Sequence, residues 1–106
     1  MNRYEIFVMM YFCLEAYWDD NKIDSLGDLC SELNPFLFKG IGSADPAYWA
    51  DFCDEYPDKQ FTTSEGYSIA KEYVKTLENA EATKAFESYS LDQWEKAYSK
   101  YKEQST

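Results

Sequence analysis

The chain has 106 residues, a length that fits one folded domain and leaves no room for two independent cores. Hydrophobic residues make up 45% of it and aromatic residues 19%, which excludes a disordered tail because so many rings can bury a large apolar area. Twenty acidic residues against ten basic ones give a formal net charge of −10. A field of that sign argues against nucleic acid or an anionic membrane as a direct partner, and it favours a basic protein.

The first predicted element is a long helix over residues 3–19, with Asn2 as its N-cap. A strand is the competing interpretation of residues 4–12, which are aromatic and partly β-branched, but the seventeen-residue length favours a helix. Its apolar residues lie on nearly every side of the helix, which is typical of a helix at the centre of its domain. They are Tyr4, Ile6, Phe7, Val8, Met9, Met10, Tyr11, Cys13, Leu14, Tyr17 and Trp18. The run 6–14 is too short to span a bilayer and lacks the flanks of a signal peptide, so we expect a cytoplasmic protein.

A second, shorter helix is predicted from the apolar spacing of Leu26, Leu29, Cys30 and Leu33. Residues 25–28 resemble a capping box that begins at Ser25, and the Asn34-Pro35 pair is expected to end the helix. Residues 34–45 then form the one substantial loop. We expect its apolar side chains to pack over the core rather than to meet a partner, because exposed apolar clusters are uncommon. These side chains are Phe36, Leu37, Phe38 and Ile41.

The third helix should begin at Asp45-Pro46, an N-cap followed by proline at the first helical position, and end before Pro57. Its predicted inner face holds Trp49, Phe52, Cys53 and Tyr56. Residues 62–65 read as a capping box for a fourth helix. The apolar stripe of that helix is Tyr67, Ala70, Tyr73, Val74 and Leu77.

The C-terminal part begins with a mixed segment, residues 79–89, for which we expect about one helical turn. A fifth helix should start at Ser90, with Tyr89 and Trp94 as a hydrophobic staple, and residues 103–106 should fray. No segment alternates with period two for long enough to predict a sheet. The sequence therefore predicts an all-α fold, a compact single-domain bundle of about five helices, with helices 1 and 2 as antiparallel neighbours.

Catalytic signatures are scarce. The chain has no histidine, the commonest general base and metal ligand, and no glycine-rich phosphate loop. Cys13, Cys30 and Cys53 are odd in number and fall on apolar stripes, so we expect reduced, buried, structural thiols. An EF-hand frame starting at Asp20 fails, because it puts lysine at the third position and serine at the sixth. We predict neither enzymatic activity nor a metal or cofactor.

The acidic residues are unevenly distributed. Residues 1–58 hold twelve acidic and three basic residues, a net charge of −9, whereas residues 59–106 are nearly neutral at −1. Solubility alone does not require that asymmetry. Tyrosines and tryptophans are interleaved with these acids, and such rings are enriched at interface hot spots. We nevertheless expect Trp18 and Trp49 to be core residues beneath a solvated face rather than contact residues. The predicted partner-binding residues are Asp19, Asp20, Asp24, Asp28, Asp45, Tyr48, Asp51, Asp54, Glu55 and Asp58.

Two segments carry a resemblance to a known group. LGDLCSEL (residues 26–33) and SADPAYWADF (residues 43–52), together with the early aromatic helix, are similar to the immunity proteins of bacterial polymorphic toxins and contact-dependent growth inhibition systems. The similarity covers roughly residues 4–56 and departs from that pattern in the apolar loop 36–41 and in the long C-terminal portion.

That resemblance implies an immunity protein that neutralises a cognate toxin, a basic nuclease domain, by stoichiometric occlusion. Its carboxylates would pair with lysines and arginines of the toxin, and a few aromatic rings would supply desolvated contacts. The alternative is an acidic adaptor or nucleic-acid mimic that binds another basic protein. The sequence leaves the identity of the toxin and the oligomeric state open.

Overall fold

The computed structural model describes residues 1–36 and 40–104, and over these residues it contains six helices and no strand. They are α1 (Arg3–Asn21), α2 (Asp24–Leu33), α3 (Pro46–Glu55), α4 (Thr63–Thr76), α5 (Ala80–Glu87) and α6 (Leu91–Gln104). The all-α prediction is confirmed, with one helix more than expected. The radius of gyration is 12.7 Å, close to the value of about 13 Å for a globular domain of this length.

Helix α1 lies at the centre of the bundle. It begins with the predicted cap: the Asn2 side chain accepts a hydrogen bond from the Glu5 backbone N–H, and the Glu5 carboxylate accepts one from the Asn2 N–H, both at 2.8 Å. Side chains all around its N-terminal two-thirds are buried, and it contacts α2, α4, α5 and α6. The all-round apolar composition therefore reflects burial on every side.

Helices α1 and α2 run antiparallel, as predicted, because Trp18 lies beside Gly27 while Tyr11 lies near Cys30. The approach at Gly27 is close: a Cβ atom there would lie 2.5 Å from the Trp18 Nε1 atom. Only a residue without a side chain lets the indole lie against the α2 backbone in this way.

The predicted capping box at Ser25 is wrong. Lys22 ends α1 in the left-handed conformation, with φ of 51°, and α2 begins at Asp24, so Ser25 lies inside the first turn. The link between the helices is so short that Ile23 occupies the N-cap position, where it packs against the core and provides no side-chain cap. Asn34 ends the helix as expected, before Pro35.

Contacts between aromatic rings join the helices of the core. Phe52 of α3 packs against Phe7 of α1 at 5.4 Å between ring centroids, and against Tyr73 of α4 at 5.0 Å. Trp94 of α6 is completely buried beside Phe86 of α5, at 6.2 Å. These rings join helices that are distant in sequence, and each buries a large apolar area.

The expectation that the apolar side chains of the loop pack over the core is met only in part at the two members that the structure describes. Ile41 is exposed, and Phe36 packs against Phe12 and Tyr11 but stays half-exposed, whereas Leu37 and Phe38 lie outside the described residues. The ends of the loop are fixed: the Ala44 N–H donates to the Asn34 carbonyl at 2.9 Å, and the Asp45 N–H donates to the Glu32 carbonyl at 2.8 Å. These two bonds fix the start of α3 against the end of α2.

Segment 79–89 contains more helix than the sequence predicted, because α5 has two turns rather than one. The Asn79 side chain caps it by accepting hydrogen bonds from the Glu81 and Ala82 backbone N–H groups, both at 3.1 Å. Ala82, Ala85 and Phe86 form its buried face. With only one large side chain, this face gives a weak periodic signal in the sequence.

Helix α6 starts with the predicted cap, in which Ser90 and Gln93 exchange hydrogen bonds of 2.8 and 3.1 Å. Both staple residues, Tyr89 and Trp94, pack against Phe86. Residues 103 and 104 are the last residues of this helix, and residues 105 and 106 lie outside the described part of the chain, so fraying of the tail stays a prediction.

Candidate functional site

A cleft of about 370 Å³ opens between α1 and α2. We call it the α1–α2 cleft. It is lined by Tyr11, Glu15, Trp18, Asp24, Gly27, Asp28, Cys30, Ser31 and Asn34. Aromatic rings from α1 and carboxylates from both helices thus face one volume.

Helical periodicity on both sides produces this lining. Tyr11, Glu15 and Trp18 are spaced four and three residues apart, so they share one face of α1. Asp24 and Asp28 are four residues apart and share one face of α2. The antiparallel packing turns the two faces toward each other. The close approach of Trp18 to Gly27 sets the distance between the helices at this point.

The carboxylates of the cleft are not neutralised within the described part of the chain. Glu15, Asp24 and Asp28 take part in none of the ion pairs seen there. The nearest cation along the chain, Lys22, pairs with a carboxylate outside the cleft: its Nζ atom lies 3.0 Å from Asp19 Oδ1, and 4.0 Å from the centroid of the Trp18 ring at the edge of the cleft. Three carboxylates on a concave surface concentrate a negative potential that attracts a cation.

The pKa values of Tyr11 and Cys30, which line the cleft, are both raised by burial and by the nearby Glu15 carboxylate. The pKa of Tyr11 is raised, first by burial and then by the Glu15 carboxylate. Burial, followed by the charge of Glu15, raises the pKa of the Cys30 thiol to about 11. A thiol with that pKa is protonated at neutral pH and is a poor nucleophile. The arrangement is suited to holding a positive group rather than to covalent chemistry.

The other two cysteines give no better nucleophile. Cys13 is buried, and burial raises its pKa well above the usual range. Cys53 is only half-buried, which corrects the expectation that all three are buried. Its pKa is raised by burial and by the charges of Asp54 and Asp58, and is partly lowered by Arg3.

A second acidic group lies where α2 meets α3. The Tyr48 hydroxyl donates a hydrogen bond of 2.8 Å to Glu32 Oε2, and this bond, followed by burial, raises the pKa of Tyr48. Asp45 caps α3 there, with its carboxylate accepting a bond of 3.1 Å from the Ala47 N–H. Tyr48 is therefore a fixed, half-buried ring among carboxylates.

The remaining predicted binding residues are exposed but lie apart. Asp51 is near the buried Tyr73 hydroxyl, and Glu55 is near Tyr56, on the side of α3 toward α4. Asp54 and Asp58 are near Cys53 and Arg3, on another side of α3. Asp20 lines a separate groove between α1 and α5, and Asp19 is paired with Lys22. The ten predicted residues therefore belong to several surfaces rather than to one.

Sequence reasoning did not assign Tyr11, Glu15 and Trp18 to the cleft, or Glu32 to the α2–α3 junction. Helical spacing places Glu15 between Tyr11 and Trp18 on one face of α1, but it does not show that this face meets α2. Glu32 could have been found from its four-residue spacing to Asp28.

Among the described residues we looked for two other features, a metal-binding group of side chains and a membrane-spanning helix. No group of three or more cysteine, aspartate or glutamate side chains there is placed to hold a metal ion. None of the described helices combines the length and apolar character that crossing a membrane requires.

Comparisons with protein-family models, with curated proteins and with solved structures gave no match to this chain. The geometry of the cleft and the charge of the surface are thus the observations on which a functional proposal is based.

Proposed function

We propose that the chain is a cytoplasmic immunity protein that binds a basic toxin domain of the nuclease type and neutralises it by stoichiometric occlusion. The observation that carries the proposal is the α1–α2 cleft, where three exposed carboxylates without ion pairs among the described residues lie beside Trp18. Clefts that bind nucleic acid are lined by lysine and arginine, and this surface has the complementary charge.

The charge distribution supports a protein partner of this kind. Helices α1 to α3 carry almost all of the net charge of −10, so one part of the molecule would approach a basic surface first. Electrostatic steering of this kind raises association rates by about 10- to 1,000-fold at low salt. Trp18 and Tyr48 are half-buried and held in place by other side chains, so contacts made by these rings cost little side-chain entropy on binding.

The mechanism requires no covalent chemistry by this chain. The bound immunity protein would cover the nucleic-acid-binding surface of the toxin, with carboxylates of the cleft paired to toxin cations. Charge pairs of this type at other protein interfaces contribute coupling energies of about 1.5–7 kcal/mol. The nearly neutral helices α4 to α6 complete the core behind the acidic helices.

Co-expression tests the proposal directly. The chain is produced together with candidate toxin domains encoded next to its gene, and growth rescue and co-purification are measured. We expect rescue and a stable one-to-one complex whose association rate falls steeply with ionic strength. If growth is not rescued and no neighbouring toxin domain co-purifies with the chain, the immunity assignment is refuted. Capture of a different basic protein instead would support the alternative of an acidic adaptor or nucleic-acid mimic.

A further inference from the structure

An exposed aromatic ring adjoins the α1–α2 cleft. Phe36 follows α2 directly and is 52% exposed, although aromatic side chains of this size are usually more buried. Its ring stacks on Phe12 at 5.6 Å with an interplanar angle of 26° and meets the edge of Tyr11 at 6.1 Å. Its backbone N–H donates a hydrogen bond of 2.8 Å to the Asn34 side chain. The ring is therefore held in place while half of it faces outward.

Phe36 and the cleft form one continuous surface, because two residues belong to both. Tyr11 and Asn34 line the cleft, and the same two residues contact Phe36. An apolar contact point and a negatively charged cavity thus lie side by side. The cleft volume of about 370 Å³ is in the range, about 300–1,000 Å³, of cavities that take small ligands.

We propose that Phe36 and the α1–α2 cleft together bind a segment of a basic protein in which an apolar side chain adjoins a lysine or arginine. The basic side chain enters the cleft, where Glu15, Asp24 and Asp28 surround its charge. The apolar side chain covers Phe36. This inference rests on the proposed function, since it specifies which surface meets the basic partner and which side chains that partner presents.

The negative charge of this surface favours a basic protein segment over two other occupants, a second copy of this chain and an anionic lipid surface. In a symmetric dimer the same patch meets itself, so the carboxylates of one cleft would face those of the other and repel them. An anionic lipid surface would be repelled for the same reason. A basic protein segment covers the exposed ring and also neutralises the carboxylates.

The three tryptophans make the test specific, because each indole N–H gives its own NMR signal. Trp18 lines the cleft, Trp49 lies half-buried on α3, and Trp94 is buried in the core. The probe is the capped dipeptide acetyl-Leu-Arg-amide, titrated into the isotopically labelled protein. Two matched probes lack one recognition element each: acetyl-Leu-Gln-amide has no charge, and acetyl-Ala-Arg-amide has almost no apolar side chain.

We expect acetyl-Leu-Arg-amide to shift the Trp18 indole signal to saturation, with a Kd on the order of 1 mM, and to leave that of Trp94 unchanged. The uncharged probe should bind about tenfold more weakly, the loss typical of a hydrogen bond to a charged group. Asp24→Asn with Asp28→Asn should reduce affinity for both arginine probes by a similar factor. Phe36→Ser should remove the preference for leucine over alanine.

Two variants control for charge and for surface hydrophobicity. Glu87→Gln with Glu95→Gln changes the net charge equally at exposed positions on α5 and α6, and Ile41→Ser removes an exposed apolar side chain elsewhere among the described residues. Both should bind the probe as the parent protein does. Far-ultraviolet circular dichroism confirms that each variant is folded.

The inference is overturned if the Trp18 signal does not saturate, if all three indoles shift alike, or if the control variants lose as much affinity as the cleft variants. Its failure is distinguishable from failure of the proposed function. A toxin neutralised equally well by the parent and by the cleft variants contradicts only this binding surface. Saturable, charge-dependent peptide binding without any cognate toxin contradicts only the immunity assignment.

Discussion

Replacing Glu5 by glutamine tests how the first helix is fixed to the last. The Glu5 carboxylate is mostly buried. One oxygen caps α1 by accepting a bond from the Asn2 N–H, and the other lies 3.0 Å from the Lys102 ammonium of α6. Glutamine keeps an oxygen for the cap but has no charge, so its interactions with Lys102 and with the Tyr98 hydroxyl are weakened. Alanine removes the cap and these interactions together.

The magnitudes follow from these two contributions. The hydrogen bond from the Asn2 N–H to the Glu5 carboxylate contributes about 1 kcal/mol to the free energy of unfolding. The ion pair contributes about 0.5–1 kcal/mol, since the Lys102 side chain is 54% exposed and solvent screens it. We therefore expect Glu5→Gln to lower the free energy of unfolding by about 0.5–1 kcal/mol and Glu5→Ala by about 1.5–2 kcal/mol. The midpoint temperature should fall by about 4–8 °C per kcal/mol.

The pH dependence gives an independent check. Burial alone raises the pKa of Glu5, but the hydrogen bonds from Asn2 and Lys102 outweigh it and hold the pKa below its usual range. A carboxylate with a lowered pKa contributes stability above its unfolded-state value of about 4.3, and that contribution is lost as the pH falls through the folded-state value. The difference in stability between the parent protein and Glu5→Gln should therefore shrink as the pH is lowered below about 4.

Urea unfolding followed by tryptophan fluorescence measures these differences. A double-mutant cycle with Lys102→Met isolates the coupling between the two side chains. The matched control is the Asp92–Lys96 pair, which has a similar distance of 2.9 Å but exposes both side chains by more than 70%. If the Glu5–Lys102 coupling equals that of the control, or if the difference in stability is independent of pH, the reasoning fails.

Two other predictions concern the cap of α5 and thiol reactivity. Asn79→Ala should lower the free energy of unfolding by about 1–2 kcal/mol, because it removes an acceptor of two backbone N–H groups; a loss under about 0.3 kcal/mol in urea unfolding would contradict this. Iodoacetamide at pH 8 should alkylate the half-buried Cys53 well before Cys13 and Cys30, which are buried. Peptide mass spectrometry of timed samples checks the order, and equal rates at all three thiols would refute it.

Helices with strong local signals could be predicted from the sequence, and weakly marked ones could not. The Thr62 and Ser90 capping boxes and the Asp45-Pro46 start all lie where residue types predicted them. The second turn of α5 was not predicted, because its buried face consists largely of alanine and its stability depends on packing against α1 and α4. The start of α2 at Asp24 is determined by the short link from α1, and a local capping pattern in the sequence does not reveal this constraint.

The candidate site was predictable only in part, for a geometric reason. Charge and helical spacing place Asp24 and Asp28 on one surface, and in the structure both line the cleft. However, the sequence does not show which face of α1 meets α2, so Glu15 and Tyr11 remained unassigned. The asymmetry of charge along the chain also predicted one surface, whereas turns between helices direct Asp20 and Asp54 to different sides.

The central position of α1 has a consequence for biosynthesis. This helix is made before the helices that cover it, and its contacts with α6 require residues up to about 104 to be synthesised. At about 5–20 residues per second, roughly 4–17 seconds separate the two events. During that interval the side chains of α1 that contact α6 lack their native neighbours, and apolar surface exposed in this way makes a partly folded chain prone to aggregation.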